Sequence, residues 1–166
     1  MGLSISVWES PALQGTILAL RGMDKELAAQ VRKATKSVSE REWKAELAHS
    51  TDTRLEHRVL VDSAKVATTN TQITLRAGQL ARKLSGGGAI RDLAAGTEFG
   101  MAPTRAVKTS TKGTTYTRKM GPVFKKRNRK GYVGHPAAAH IIPNIAALWV
   151  QTTVRTFHEA LEKGAR

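Results

Sequence analysis

Residues 24–49 read DKELAAQVRKATKSVSEREWKAELAH, and their spacing decides what the rest of the chain has to do. Leu27, Val31, Ala34, Val38, Ala45 and Ala48 recur at or near helical intervals with Lys, Arg and Glu between them. Trp43 and Leu47, four apart, extend one apolar edge. Asp24, ahead of Lys25-Glu26-Leu27, has the short oxygen-bearing side chain of an N-cap. The pattern predicts one amphipathic helix, roughly 35–40 Å long at ~1.5 Å per residue. A helix with one apolar edge must lie on something, and the neighbouring segments supply it.

Downstream, Arg54–Val61 reads as a short helix running into a strand. Ala64–Thr68 and Gln72–Arg76 flank Thr69-Asn70-Thr71. Ile73 and Leu75 alternate with Gln72, Thr74 and Arg76, the period-two pattern of a half-buried strand, so the pair predicts an antiparallel hairpin. Ser85-Gly86-Gly87-Gly88 is a flexible linker; no Lys-Ser/Thr follows it, so it is no phosphate-binding loop. Leu93–Gly100 is rich in small residues that permit close backbone approach. A second helix is predicted near the end, with Pro143 in its first turn. Ile145, Leu148, Trp149, Thr152, Phe157, Ala160 and Leu161 form its core face, with Trp149 and Phe157 as core anchors, and Gly164 closes it. Upstream, Met1–Gln14 reads as an irregular arm. Leu3, Ile5 and Val7 alternate as a short strand would, Trp8 docks on a neighbour or on its own core, and Pro11 stops the pattern. These pieces predict an α+β fold with long N- and C-terminal helices on a small antiparallel sheet. It comprises an arm over residues 1–20 and one domain over 21–166, with an insert at 104–132.

Composition fits one domain. The 166 residues are 40% hydrophobic but only 5% aromatic, so the core is built from Ala, Val, Leu and Ile. With no cysteine, disulfides and thiolate metal sites are excluded. No run approaches the ~18 apolar residues of a membrane span, and Met1–Leu20 lacks the pattern of a secretory signal. The expectation is a protein of the cytosol, or of a particle assembled there, with no membrane partner.

The net charge of +14 is a local property. Phe99–His158 is sixty residues without Asp or Glu; it holds 11 of the 27 Lys and Arg, leaving 16 elsewhere against all 13 acids. Ten of the eleven are Arg105, Lys108, Lys112, Arg118, Lys119, Lys125, Lys126, Arg127, Arg129 and Lys130. Within them, the Thr-rich run Val107–Arg118 around Lys112-Gly113 predicts a protruding hairpin with no apolar face. Such a segment attracts polyanions, either nucleic acid or an acidic protein surface. Tyr116 and Tyr132 flank it but are too few for a base-stacking platform.

Catalytic patterns are missing. His49, His57, His135, His140 and His158 are scattered, and His135 and His140, five apart, do not share a helix face as zinc pairs do. No Gly-x-Ser-x-Gly element occurs, and Glu98 is a lone carboxylate at the border of the basic segment. The reading is a non-enzyme without metal or cofactor.

The order of segments carries a resemblance. Leu20-Arg21-Gly22-Met23 steps into the long helix; Thr51-Asp52-Thr53-Arg54-Leu55 leads to the strands of Val66–Ala77. Ala94–Gly100 ends in Glu98-Phe99-Gly100, and His135-Pro136 opens a final segment running to Leu161. In this order the chain resembles the neck or tail-completion family of long-tailed bacteriophages. It departs from that family at Arg54, where a glycine is usual, and in a longer, more basic insert at Thr104–Lys130. The resemblance implies a structural virion protein forming a ring, sixfold, between head connector and tail tube. The neighbours it implies are a connector or stopper and a tail terminator or tube protein. A tail terminator capping the tube is the alternative reading, and a free nucleic-acid-binding protein the runner-up outside phages. Under the ring reading the basic insert grips an acidic neighbour or lines a channel carrying DNA. Because tight phosphate binding would hinder DNA passage, protein contact is the favoured expectation.

Overall fold

The computed structural model describes residues 3–6, 11–85, 88–111 and 113–164. The fold is α+β. The first half runs through β1 (Leu3–Ser6), α1 (Pro11–Gly22), α2 (Lys25–His49), α3 (Arg54–Glu56), β2 (Lys65–Thr68) and β3 (Ile73–Ala77). The second half contains α4 (Ile90–Phe99), β4 (Ala106–Thr111), β5 (Thr114–Lys119) and the long α5 (Gly134–Gly164).

The long helix forms where the sequence places it, with an Asp24 carboxylate oxygen accepting from the Lys25 amide at 2.7 Å. Its buried line agrees with the predicted one at Val31, Trp43 and Leu47 and departs from it elsewhere. Ala28, Val31, Thr35, Ser39, Trp43 and Leu47 face inward, while Ala34, Ala45 and Ala48 are exposed. Small hydroxyl residues at 35 and 39 are fully buried on this line, and a count of apolar side chains misses them. Trp43 is central to this line: its ring is fully buried, and its indole N–H donates to the Arg76 carbonyl at 3.2 Å.

β2 and β3 form the predicted hairpin, with Val66 opposite Leu75. The sheet has a third strand. β1 pairs antiparallel with β3, from Leu3 opposite Ala77 to Ser6 opposite Thr74, giving the order β1-β3-β2. The central strand therefore buries Ile73, Thr74, Leu75 and Ala77, on both faces rather than one. The arm expected over residues 1–20 is thus a strand and a helix. Pro11 starts α1 instead of ending a pattern, as its fixed φ and missing N–H favour at a first helical position. Leu13 and Leu20 of that helix belong to the same core as Trp43. Trp8, Gly86 and Gly87 lie outside the described residues.

Arg54–Val61 stays helical throughout, α3 continuing into a π-helical turn over His57–Val61, so no strand begins there. Arg54 opens that helix. Thr53 caps it, accepting from the Glu56 amide at 3.2 Å while Glu56 accepts from the Thr53 amide at 3.0 Å. A glycine turn is not needed at this point.

α5 starts at Gly134, nine residues before Pro143, which lies inside the helix; Pro136 holds the first-turn position. Ala137, Ala138, Ile141, Ile145, Trp149 and Thr153 pack into the core, and α5 lies along α2 and α1. Beyond Thr153 the helix leaves the core, so Phe157 and Leu161 are surface residues, not core ones.

Candidate functional site

The buried joint at the start of α5 explains Glu98-Phe99-Gly100. The sequence before α5 offers no Ser, Thr, Asp or Asn immediately ahead of Gly134, and the helix receives its cap from α4. Glu98, 2% exposed, accepts from the backbone N–H groups of Val133 (3.3 Å) and Gly134 (2.6 Å) through Oε2. Through Oε1 it accepts from the His135 amide at 3.0 Å, and it lies 3.0 Å from His135 Nδ1. A carboxylate there meets both the unpaired amides and the positive end of the helix dipole. The Phe99 ring sits 5.2 Å from the His135 imidazole, tilted by 57°.

The backbone closes the same joint. The Asn128 amide donates to the Phe99 carbonyl, and the Tyr132 amide to the Glu98 carbonyl, each at 2.8 Å. Gly100 adopts φ +69°, and a Cβ there would run into the Lys126 carbonyl. Gly96 lies under Phe124, 2.8 Å from where a Cβ would meet the ring. Both Glu98 oxygens are engaged by main-chain amides and the His135 ring, so the side chain has a structural use at this joint.

The ten basic residues divide into three sets. Lys125 is committed within the chain: its Nζ lies 2.7 Å from Asp52 Oδ2, 2.9 Å from Glu56 Oε1 and 5.0 Å from the centre of the Tyr132 ring. Burial works to lower its pKa, but the hydrogen bonds to Asp52 and Glu56 outweigh that and raise it. Asp52 and Glu56 did not stand out in the sequence as partners, although Thr53-x-x-Glu56 has the capping-box spacing that would have found the second.

Lys126, Arg127, Arg129 and Lys130 are exposed on a fastened loop. There Asn128 Nδ2 donates to the Gly131 carbonyl at 2.9 Å, and the Tyr132 hydroxyl to the Lys126 carbonyl at 2.8 Å. Arg105, Lys108, Arg118 and Lys119 belong to the β4–β5 ribbon and are exposed; Lys112 lies outside the described residues. The basic segment is therefore not one excursion but a free-standing ribbon and a loop stitched to α3, α4 and α5.

Two open grooves lie on the surface of the described residues. One, about 520 Å³, lies between α2 and α5 and is lined in part by Glu42, Glu46 and Leu148. The other, about 530 Å³, runs past Lys36, Ser63 and Lys65. The Ser63 hydroxyl donates to the Val59 carbonyl and accepts from the Gly78 amide at 2.6 Å, so it is occupied structurally. Among the described residues no group of three His, Asp or Glu is placed to hold a metal ion, and no helix is long and apolar enough to cross a membrane. Compared with models of known protein families, with curated proteins and with solved structures, the chain finds no match.

Proposed function

We propose that the chain is a structural subunit of the head–tail junction of a long-tailed bacteriophage, a neck or tail-completion protein that works as a ring of identical copies, sixfold. The observation that carries this reading is the end of α5. Val154, Phe157 and Leu161 are 52%, 50% and 57% exposed and fall on one helical stripe. Leu18, on the α1 helix that packs against α5, is 67% exposed. Burying a side chain of this size is worth about 1.5–3 kcal/mol. A chain that leaves three in a row at the surface gains by covering them with a neighbour. In a closed ring one patch meets a different patch on the next copy, and a stripe at the end of a rigid helix suits that geometry.

The order of elements around the Glu98 joint supports the phage assignment, because it is the order in which the sequence resembles the neck family. The joint also suits such a role: it fixes the direction of α5, and with it the direction in which the stripe is offered.

Size-exclusion chromatography with light scattering tests the proposal. The full chain is expected to give a discrete multimer, and Phe157→Asp a folded monomer. A single-chain mass at every concentration would contradict it.

A further inference from the structure

We infer that the β4–β5 ribbon is an arm for duplex DNA, gripping the phosphate backbone without regard to sequence. The inference rests on the ribbon itself and does not require the ring. From Thr114 to Lys119 every residue of β5 is exposed. A two-stranded hairpin standing alone is marginal in water, and the exposed β5 strand marks it as a surface completed by a partner.

Its charge is two-sided. In the antiparallel register Ala106 lies opposite Lys119 and Lys108 opposite Thr117, which places both lysines on one face. Tyr116 and Arg118 occupy the alternate positions and therefore the other face. Arg105 stands at the foot, where its carbonyl accepts from the Met120 amide at 2.9 Å and closes the ribbon. A flat acidic protein surface would compensate one face and leave the other unpaired. The major groove of B-DNA, about 12 Å wide, admits a two-stranded ribbon between walls of phosphate.

Composition points the same way. Protein interfaces are depleted in Lys and Ser, whereas Lys, Ser and Thr are among the side chains that hydrogen-bond phosphates. Apart from Ala106, Val107 and Tyr116, the ribbon strands consist of Thr, Ser, Lys and Arg.

A second copy of the chain is a poor receptor. Asp52 and Glu56 hold Lys125, Glu98 holds α5, Glu46 faces His140, and Glu40 faces Lys44. Asp62 lies beside the His57 ring, and Asp92 and Glu159 beside arginines. Among the described residues only Glu26, Glu42 and Glu162 have neither an ion pair nor a capping bond; the first two stand ~24 Å apart along α2. The objection that a DNA-gripping arm would block passage does not hold for a grip of this kind, because sequence-independent binding to phosphates lets a protein slide along the duplex.

The test is fluorescence anisotropy of a short random-sequence DNA duplex titrated with the full chain between about 50 and 200 mM salt. Two variants with equal charge loss are compared: Arg105→Gln/Lys108→Gln/Arg118→Gln/Lys119→Gln in the ribbon, and Lys126→Gln/Arg127→Gln/Arg129→Gln/Lys130→Gln in the loop. The ribbon variant is expected to flatten the slope of log affinity against log salt by about 3.6, at about 0.9 for each phosphate no longer neutralised, and to weaken binding at least about tenfold at the lowest salt. The loop variant is expected to change binding less than about threefold. Circular dichroism of both variants should match the unaltered chain. Equal losses in the two variants would overturn the inference, since net charge alone would then explain binding. So would an unaltered chain that fails to bind at the lowest salt. A ribbon variant that keeps its DNA affinity but no longer co-sediments with an acidic protein of the particle would overturn it in favour of a protein receptor. Because the stripe on α5 is untouched, the mass of the ribbon variant reports on the ring independently of the DNA result.

Discussion

Glu98 spends one buried carboxylate on the start of a 31-residue helix. Replacing it by Gln keeps the volume but turns an amide NH₂ toward backbone donors. Glu98→Gln is expected to cost about 2 kcal/mol of unfolding free energy and Glu98→Ala about 3, by the usual cost of stranding buried donors. Urea denaturation measures both, and changes of only a few tenths would show that the clamp is idle. Gly100→Ala should cost about 2 kcal/mol or more in the same assay, because a Cβ at φ +69° meets the Lys126 carbonyl. At this scale the sequence was half legible. Glu98-Phe99-Gly100 is visible as a motif, and its small neighbours point to close packing. Its role is not visible, because the amides it caps lie 35 to 37 residues further on and carry no side-chain signature.

Both long helices were legible as elements, since a 3.6-residue period over many turns is hard to mistake. Their faces and limits were less so. Thr35 and Ser39 took core positions that polarity assigns to solvent, and Pro143 looked like a start because the real start is capped by α4. α1 was read as an arm because one proline serves equally as a stop and as a first-turn residue. Trp149, 1% exposed, is a core residue as its spacing predicted, and Trp149→Ala should cost about 3–5 kcal/mol. Phe157→Ala, by contrast, should leave thermal stability of the single chain within about 0.5 kcal/mol and act on association alone.

Lys125 ties the loop before α5 to α3 through Asp52 and Glu56, and Lys125→Met should cost about 1–3 kcal/mol at neutral pH. Its folded pKa is raised, so the stabilisation is whole below the ordinary lysine value of 10.5 and fades as pH climbs through the higher folded value. The gap between the unaltered chain and the variant, measured upward from neutral pH, should stay level at first and close on the alkaline side. A gap that closes between about pH 7 and 9, above the carboxylate range and under the lysine one, would contradict this assignment.

For the whole molecule, charge was the loudest signal in the sequence, and structure divides it. Lys125 is internal, four cations ride on a stitched loop, and four more stand on the ribbon. A linear count cannot make that division, because it depends on which cations fold back onto acids far away in the chain. At +14 per chain, copies set side by side repel one another, so in the proposed ring an apolar seam has to outweigh that repulsion. The exposed stripe on α5 is the seam we propose. The most direct measurement is the native mass of the purified full chain as its concentration is raised. The account predicts a closed multimer of fixed copy number that Phe157→Asp dissolves into folded single chains; a single-chain mass throughout, unchanged by that substitution, would contradict it.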